Sequence, residues 1–220
     1  YRKVSYDAVK DFDAVIQFVS VPLMLAATNA FPAHSVKELV ALAKAKPGEI
    51  NYASGGSGAS SHLAMELFKS MAGVQMNHIP YKGTGPLITD LIAGQVSVTI
   101  ASAVPLIPQV RAGKLRGLAV TGNKRSLAMP DVPTISELYP GFETTIWIGL
   151  FAPKGTSEMV VNKLRSEVTK SLKSPALIDA FAKAGGIEPF LTTPDEMKQL
   201  IQHDQAKYSR IIRDLKIKLD

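Results

Sequence analysis

Hydrophobic and polar positions repeat along this chain with two periods, which predict strands and helices that follow one another. A period near two indicates a strand, and apolar residues three or four positions apart indicate one face of a helix. The predicted strands cover 15–27 (one strand, or two interrupted at Pro22), 50–53, 74–79, 96–101, 115–121, 144–152 and 187–190. The predicted helices cover 36–45, 60–72, 84–91, 105–112, 157–172, 175–184 and 194–215.

This order of elements predicts a layered α/β fold, in which strands that follow one another across a helix run parallel. The stretch 122–142 shows neither period and contains three prolines, so we predict irregular structure there. In parallel sheets, ligands bind beyond the carboxyl ends of the strands, often at helix N-termini. The loops that follow strands are therefore the places to look for chemistry.

The first such loop joins the strand at 50–53 to the helix at 60–72. Glycines let the backbone come close to a ligand, serines add small hydroxyls, and the first helical turn has free N–H groups at the positive end of its dipole. These features suit a carboxylate or a phosphate. The alternative is a plain turn capped by Ser60 or Ser61. The loop reads Ser54-Gly55-Gly56-Ser57-Gly58-Ala59-Ser60-Ser61-His62.

Two further loops have the same position between a strand and a helix. One contains Tyr81, Lys82 and Gly83, followed by Thr84 as a possible helix cap. Lys82 could pair with an anion, but extension into solvent is favoured. The other contains Ser102, a predicted cap for the helix that begins at Pro105. Loops of one design at the same edge of a sheet would line one small-molecule site with N–H and hydroxyl groups.

Composition narrows the class of protein. The 220 residues suffice for one large domain or two small ones, and 46% hydrophobic with 20% charged residues is typical of a globular protein. The net charge of +6 comes from scattered basic residues with few aromatics among them, so we expect no nucleic-acid surface. The chain has no cysteine, which excludes disulfides and thiolate metal sites.

Enzyme signatures are weak. Residues 55–59 approach a nucleophile elbow but end in Ala59 instead of glycine. The four histidines lack metal-ligand spacing, and neither a phosphate-binding P-loop nor a dinucleotide-binding glycine motif occurs. We therefore predict no catalytic residue, no metal ligand and no cofactor. A serine-dependent or phosphate-ester enzyme that uses the glycine loop is the alternative.

Short segments spread over the chain also share their order and spacing with a known family. They are YDAVKDF (6–12), SVKEL (35–39), NYASGGSG (51–58), HLAMELF (62–68), IPYKG (79–83), AGKLRGLAVT (112–121), DVPT (131–134) and GLFAP (149–153). On these segments the chain resembles the extracytoplasmic substrate-binding receptors of tripartite tricarboxylate transporters, the Bug family. The resemblance spans essentially the whole chain, and its specificity lies in the order of the segments.

The resemblance implies a type II periplasmic-binding-protein fold, an α/β fold whose two α/β lobes are joined by hinge strands and close on a small organic anion. We expect residues 1–22 to end the first lobe and enter the hinge, 23–144 to form the second, ligand-binding lobe, and 145–220 to return to the first lobe with C-terminal helices. Family members begin well before the position of Tyr1, so we expect the first lobe to be incomplete.

The resemblance also implies a function: a periplasmic receptor, not an enzyme, that captures a small organic carboxylate between its lobes and delivers it to membrane transporter subunits. We expect a monomer, and a signal peptide that lies outside this chain. Relatives often carry aspartate at the position of Ser97 and near Ala101, so a plain carboxylate is favoured over an amino acid. An effector-binding domain of a transcription regulator is a further alternative. The expected ligand-binding residues are Ser54, Gly55, Gly56, Ser57, Gly58, Ser60, Ser61, His62, Tyr81, Lys82, Gly83 and Ser102.

Overall fold

Strands and helices alternate through most of the chain in the computed structural model, which describes residues 5–184, 187–189, 191–214 and 217. The strands are β1 (Phe12–Thr28), β2 (Asn51–Ser54), β3 (Asn77–Pro80), β4 (Val98–Ser102), β5 (Leu115–Val120), β6 (Thr145–Pro153) and β7 (Glu188–Pro189). The helices are α1 (Val36–Ala45), α2 (Ser60–Ala72), α3 (Thr84–Ile92), α4 (Ala103–Arg111), α5 (Glu158–Leu172), α6 (Pro175–Ala184) and α7 (Pro194–Asp214), with a 3-10 helix at Ile135–Glu137.

The predicted order of elements is confirmed, and most bounds differ by one to three residues. The first strand, β1, runs without interruption through Pro22, which the sequence suggested as a possible break. Helix α4 begins two residues before Pro105, the predicted start. Residues 190 and 215, where a strand and a helix were predicted to end, lie outside the described residues.

The chain divides into two compact units, and each contains parts of β1 and β6. One unit holds the described residues within 1–20 and 147–210, and the other holds those within 21–146 and 211–220. The boundaries thus fall between Ser20 and Val21 and between Ile146 and Trp147. The assignment of ligand-binding lobes to 1–22, 23–144 and 145–220, with hinge motion about the strands, stays a prediction.

The unit around 21–146 is built on a mixed sheet with the strand order β3-β2-β4-β1-β5. Strand β2 pairs parallel with β3 and β4, as predicted. Strand β1 pairs antiparallel with β4 and β5, so the expectation of parallel pairing is wrong there. The alternation of strands and helices predicts parallel pairs between successive strands, whereas β1 pairs with strands far along the chain.

Both faces of this sheet are buried, which explains the continuous apolar run of β1. Leu23 and Leu25 lie in one hydrophobic cluster, whereas Met24 and Ala26 lie in the other, because successive side chains of a strand point to opposite faces. Helices α1 and α2 supply the first cluster, and α3 and α4 supply the second. The helices at the sheet are thus held by burial on their inner faces.

The other unit contains the first part of β1 together with β6, β7 and the C-terminal helices. Val15, Ile16 and Ala152 form its buried cluster. The N–H of Gln17 donates to Oγ1 of Thr192 over 3.0 Å, which ties β1 to the segment before α7. This unit provides none of the residues that the sequence singles out for binding.

We predict that Phe68→Ala lowers the free energy of unfolding by about 3–5 kcal/mol, because truncation of a buried aromatic leaves a cavity. Phe68 is fully buried and makes edge-to-face contacts with Tyr139 and Phe142. Met71 lies on the same helix and is 37% exposed, so Met71→Ala should change stability by less than about 1 kcal/mol. Urea unfolding followed by circular dichroism measures both. Equal losses in the two variants would contradict this packing.

Candidate functional site

A loop follows β2, another follows β3, and α4 begins directly after Ser102 at the end of β4; all three segments lie at one edge of the sheet. Strand β2 is the central strand of the three and runs parallel to both neighbours, with Ser54 opposite Pro80 and Tyr52 opposite Val98. Because parallel strands end on the same side, the two loops and the start of α4 lie along this edge. The structure therefore brings together the three segments that the sequence singled out. The predicted loop around Ser102 is wrong, however, because α4 begins at Ala103, directly after β4.

Backbone hydrogen bonds tie the first loop to the second. The N–H of Tyr81 donates to the carbonyl of Ser54 over 2.9 Å, and the N–H of Gly83 donates to the carbonyl of Gly55 over 3.0 Å. Gly56 has a φ of +139°, and a Cβ at this position would lie 3.4 Å from the carbonyl oxygen of Tyr81. A side chain at Gly56 would be strained and would press on the second loop.

The glycine N–H groups of the first loop bond to side chains of the same segment. Gly55 N–H donates to Oγ of Ser61 over 2.9 Å, and Gly56 N–H donates to Oγ of Ser54 over 3.2 Å. Gly58 N–H donates to Nδ1 of His62 over 3.0 Å. These glycines thus shape the loop, and their N–H groups are engaged in it.

Two donors remain at the first turn of α2. The N–H groups of Ser60 and Ser61 have no hydrogen-bond partner among the described residues. The Ser60 side chain is exposed and likewise has no partner in the described part of the chain, whereas Ser61 is buried. These N–H groups lie at the positive end of the α2 dipole, an arrangement that favours an anion.

The predicted helix caps differ from those observed. Helix α2 has Ala59 at the cap position and no side-chain cap, so capping by Ser60 or Ser61 is wrong. Helix α3 has Gly83 there, with a φ of +100°, and Thr84 is its first residue. Ser102 holds the cap position of α4, but its side chain makes no cap hydrogen bond. Spacing along the chain locates these helix starts within two residues, and the cap itself depends on the φ and ψ of the cap residue.

Side chains of the second loop have different surroundings. The hydroxyl of Tyr81 donates to Oδ2 of Asp90 over 2.7 Å. Burial, and then this hydrogen bond, raise the pKa of Tyr81 to about 12. Lys82 is exposed and forms no ion pair within the described residues. Tyr81 therefore braces the loop against α3, while Lys82 extends into solvent, as favoured from the sequence.

A compact polar cluster lies beneath the first loop. The rings of His62 and His78 stack with centroids 3.9 Å apart and planes 10° apart, and Tyr52 stacks on His78 at 5.0 Å. The carboxylate of Glu66 accepts hydrogen bonds from the Tyr52 hydroxyl and from Nζ of Lys69. Burial, and then the bond to Glu66, raise the pKa of Tyr52. The cluster thus supports the loop from below with paired polar groups.

The sequence analysis selected only His62 from this cluster. Glu66 and Lys69 lie four and seven residues after His62, a spacing that places all three on one face of α2 and could have been recognised. Tyr52 and His78 meet because they are direct partners in the parallel register of β2 and β3. That pairing is not visible in the sequence.

Ser97 lies at the wrong end of β4 for the role that we expected. It precedes Val98, the first residue of β4, while Ser102 is the last. Its N–H donates to the carbonyl of Asn51, at the start of β2. Ser97 thus lies away from the edge that holds the two loops and the start of α4, and the argument for a plain carboxylate from this position is wrong.

Comparison with known proteins gives the family of this chain. A family model described as the tripartite tricarboxylate transporter family receptor matches residues 1–217. The chain belongs to this receptor family. The resemblance of its segments to the Bug receptors is thereby confirmed.

Relatives and solved structures agree with this membership. Protein BugT of Bordetella pertussis is 35% identical over 217 residues, which cover 98% of this chain and 66% of BugT. The structure of R. palustris Rpa4515 with adipate superposes with a TM-score of 0.90 at 34% identity, covering 100% of this chain and 74% of that one. MatC from Rhodopseudomonas palustris with bound malate gives 0.82 at 28% identity, covering 96% and 73%.

These likenesses confirm the predicted fold class, the two-lobed α/β fold of the periplasmic binding proteins. The chain spans about two thirds of the length of the curated relatives that it matches, 66% of BugT. The receptor as described has no helix with both the length and the apolar composition to cross a bilayer. No group of three or more histidine or acidic side chains within the described residues has the arrangement of a metal site.

We predict that Ser61→Ala lowers the free energy of unfolding by about 1–3 kcal/mol, because the half-buried N–H of Gly55 loses its acceptor. Ser60→Ala is the matched control, one position earlier on the same turn, and should stay within about 0.5 kcal/mol of the parent. Thermal and urea unfolding of both variants measure the difference. A larger loss in Ser60→Ala would instead support the capping role that the structure argues against.

Proposed function

We propose that this receptor captures a small organic carboxylate at the sheet edge formed by the loops after β2 and β3 and by the start of α4. It works outside the cytoplasm, in the periplasm, as a monomer, and delivers its ligand to the subunits of a membrane transporter. It performs no chemistry on the ligand. The observation that carries the proposal is the start of α2, where two N–H groups without a described partner adjoin the glycine loop.

The chemistry of this edge suits a carboxylate. The N–H groups of Ser60 and Ser61 would donate to the carboxylate oxygens, and hydrogen bonds to a charged group contribute about 1.5–3 kcal/mol each. The hydroxyls of Ser57, Ser60 and Ser102 would add neutral donors at the rim. The positive end of α2 and the net charge of +6 favour an anion without a direct lysine contact.

The predicted ligand-binding residues take different roles in this proposal. Gly55, Gly56 and Gly58 shape the loop, because their N–H groups already bond to side chains. Tyr81 and Gly83 hold the second loop against the first. Lys82 contributes attraction over a distance, since it extends into solvent.

Two solved relatives support the class of ligand. The structure of Rpa4515 contains adipate and that of MatC contains malate, and both are dicarboxylates. Both proteins are similar to this chain over at least 96% of its length. A carboxylate is therefore the ligand class that we propose for this receptor, and adipate and malate are the probes of choice.

The serine-enzyme alternative has one feature in its favour. Oγ of Ser54 lies 2.6 Å from Nε2 of His78, the contact of a nucleophile with a base. Ser54 is fully buried, however, and its Oγ also bonds to the backbone of Gly56. A substrate carbonyl could not reach this oxygen, so we interpret the pair as support for the loop.

We predict that Gly56→Val weakens ligand binding by about tenfold to a hundredfold, measured with whichever of adipate and malate the receptor binds. A branched side chain at a φ of +139° strains the backbone by about 1–3 kcal/mol and presses on Tyr81. Ser57→Ala removes only a hydroxyl and should weaken binding by less than about fivefold. Titration calorimetry on the purified receptor measures both.

Gly73→Val is the control for the effect of strain alone. Gly73 also has a positive φ, +62°, but it ends α2 far along the helix from the loop, and its substitution should leave affinity unchanged. Circular dichroism confirms that each variant is folded. Unchanged affinity in a folded Gly56→Val receptor would place the carboxylate elsewhere.

We predict that a serine-reactive fluorophosphonate does not label the receptor at Ser57, Ser60 or Ser61. A receptor needs no activated hydroxyl, and Ser54, whose Oγ contacts the imidazole of His78, is buried. Peptide mapping by mass spectrometry after treatment measures labelling, with a known serine hydrolase as the positive control. Stoichiometric labelling of any of these serines would favour the enzyme.

A further inference from the structure

The stacked imidazoles of His62 and His78 lie directly under the proposed carboxylate site. His62 is 7% exposed, and its ring is parallel to that of His78 within 10°. His62 belongs to the first turn of α2, and His78 belongs to β3. The pair thus joins the two elements whose loops line the site, and neither ring has a role in the proposed function itself.

Each imidazole bonds to the first loop. Nδ1 of His62 accepts the N–H of Gly58 over 3.0 Å, so this nitrogen carries no proton in the observed arrangement. Nε2 of His78 contacts Oγ of Ser54 over 2.6 Å, and the same Oγ accepts the N–H of Gly56. The two histidines therefore hold both ends of the Gly56–Gly58 turn.

A proton on Nδ1 of His62 would turn this acceptor into a donor. It would then point at the N–H of Gly58, which is also a donor. The bond to Gly58 would then be lost, and the turn would lose one of its supports. His78 differs, because its contact with the Ser54 hydroxyl persists with either partner as the donor. The loop is thus sensitive to protonation mainly through His62.

The groups around the pair act on a charge at His62 in opposite directions. Glu66 lies 4.0 Å from Nε2 of His62, but its carboxylate already accepts from Lys69, which balances its charge. Tyr52 stacks on His78 and stays neutral because burial and its bond to Glu66 raise its pKa. The positive end of the α2 dipole faces His62, and β4, which packs against α2, has no titratable side chain. At 3.9 Å, the second imidazole also opposes a charge on the first.

We propose that His62 is a positioning residue that holds the glycine loop in its binding shape only while it is neutral, so that carboxylate affinity falls as the pH falls. The inference rests on the proposed function, since it concerns regulation of the same site. Ligand is held at neutral and alkaline pH and released more readily at acidic pH. An ordinary imidazole changes charge between about pH 5 and 8, which sets the range of the effect.

The first experiment follows the loop without any ligand. In the purified receptor, the ¹H–¹⁵N resonance of Gly58 should move between about pH 8 and 5.5, as its N–H loses the acceptor. In His62→Asn it should not move, because the Asn oxygen occupies the position of Nδ1, accepts the same N–H and does not titrate. His203→Asn removes an exposed histidine of α7 and should behave like the parent.

The second experiment measures binding of adipate and malate by calorimetry at the same two pH values. The parent and His203→Asn should lose about tenfold in affinity at the lower pH, the effect of one lost backbone acceptor. His62→Asn should lose less affinity than the parent between the higher and the lower pH, because its acceptor does not titrate. His62→Leu has no acceptor for the Gly58 N–H and should bind the probes weakly at both pH values. Protonation of the probe itself affects all variants equally, so the comparison between variants carries the result.

The outcomes separate the two proposals. If the Gly58 resonance does not move with pH in the parent, or moves equally in His62→Asn, the role of His62 is wrong. The role of His62 is also wrong if the parent and His62→Asn show identical pH profiles of binding. If neither probe binds any of these proteins, the carboxylate proposal fails for these ligands, and the Gly58 titration still decides the role of His62.

Discussion

The parallel pairing of β2 with both β3 and β4 determines where every candidate binding group of this receptor lies. Strands β2 and β3 each lead into a loop and then a helix, whereas β4 leads directly into α4. Parallel pairing brings the two loops and the start of α4 to one edge of the sheet. The same register sets Tyr52 beside His78. A shift of one residue would turn Tyr52 to the opposite face and separate the rings, because side chains alternate along a strand.

The glycine loop uses its own side chains as hydrogen-bond partners for the N–H groups of its three glycines. Ser54, Ser61 and His62 accept the N–H groups of the three glycines. A loop satisfied in this way is held in one shape before a ligand arrives, which reduces the entropy lost on binding. Its donors for an anion are then few, and they lie at the start of α2, where the helix cannot use them.

The buried polar groups under the loop are hydrogen-bonded to, or stacked on, neighbouring side chains. The carboxylate of Glu66 accepts hydrogen bonds from Tyr52 and Lys69. The two imidazoles stack on each other; His62 accepts the N–H of Gly58, and His78 contacts the Ser54 hydroxyl. Hydrogen bonds between buried polar groups fix the positions of those groups. A buried polar group without a partner would lose its hydration on folding and gain no hydrogen bond in return. The site therefore depends on a layer of residues that a ligand does not touch.

The sequence by itself determined the α/β class, the order of the elements and the loops after β2 and β3. Local periodicity and glycine and proline positions carry that information, as the bounds of α2 illustrate. The order of short segments along the chain also indicated the receptor family. Tertiary structure alone decided the antiparallel place of β1, the cap residues, the far position of Ser97 and the partnership of Tyr52 with His78. These features depend on which distant strands pair and in what register, and a linear pattern does not encode contacts between residues so far apart.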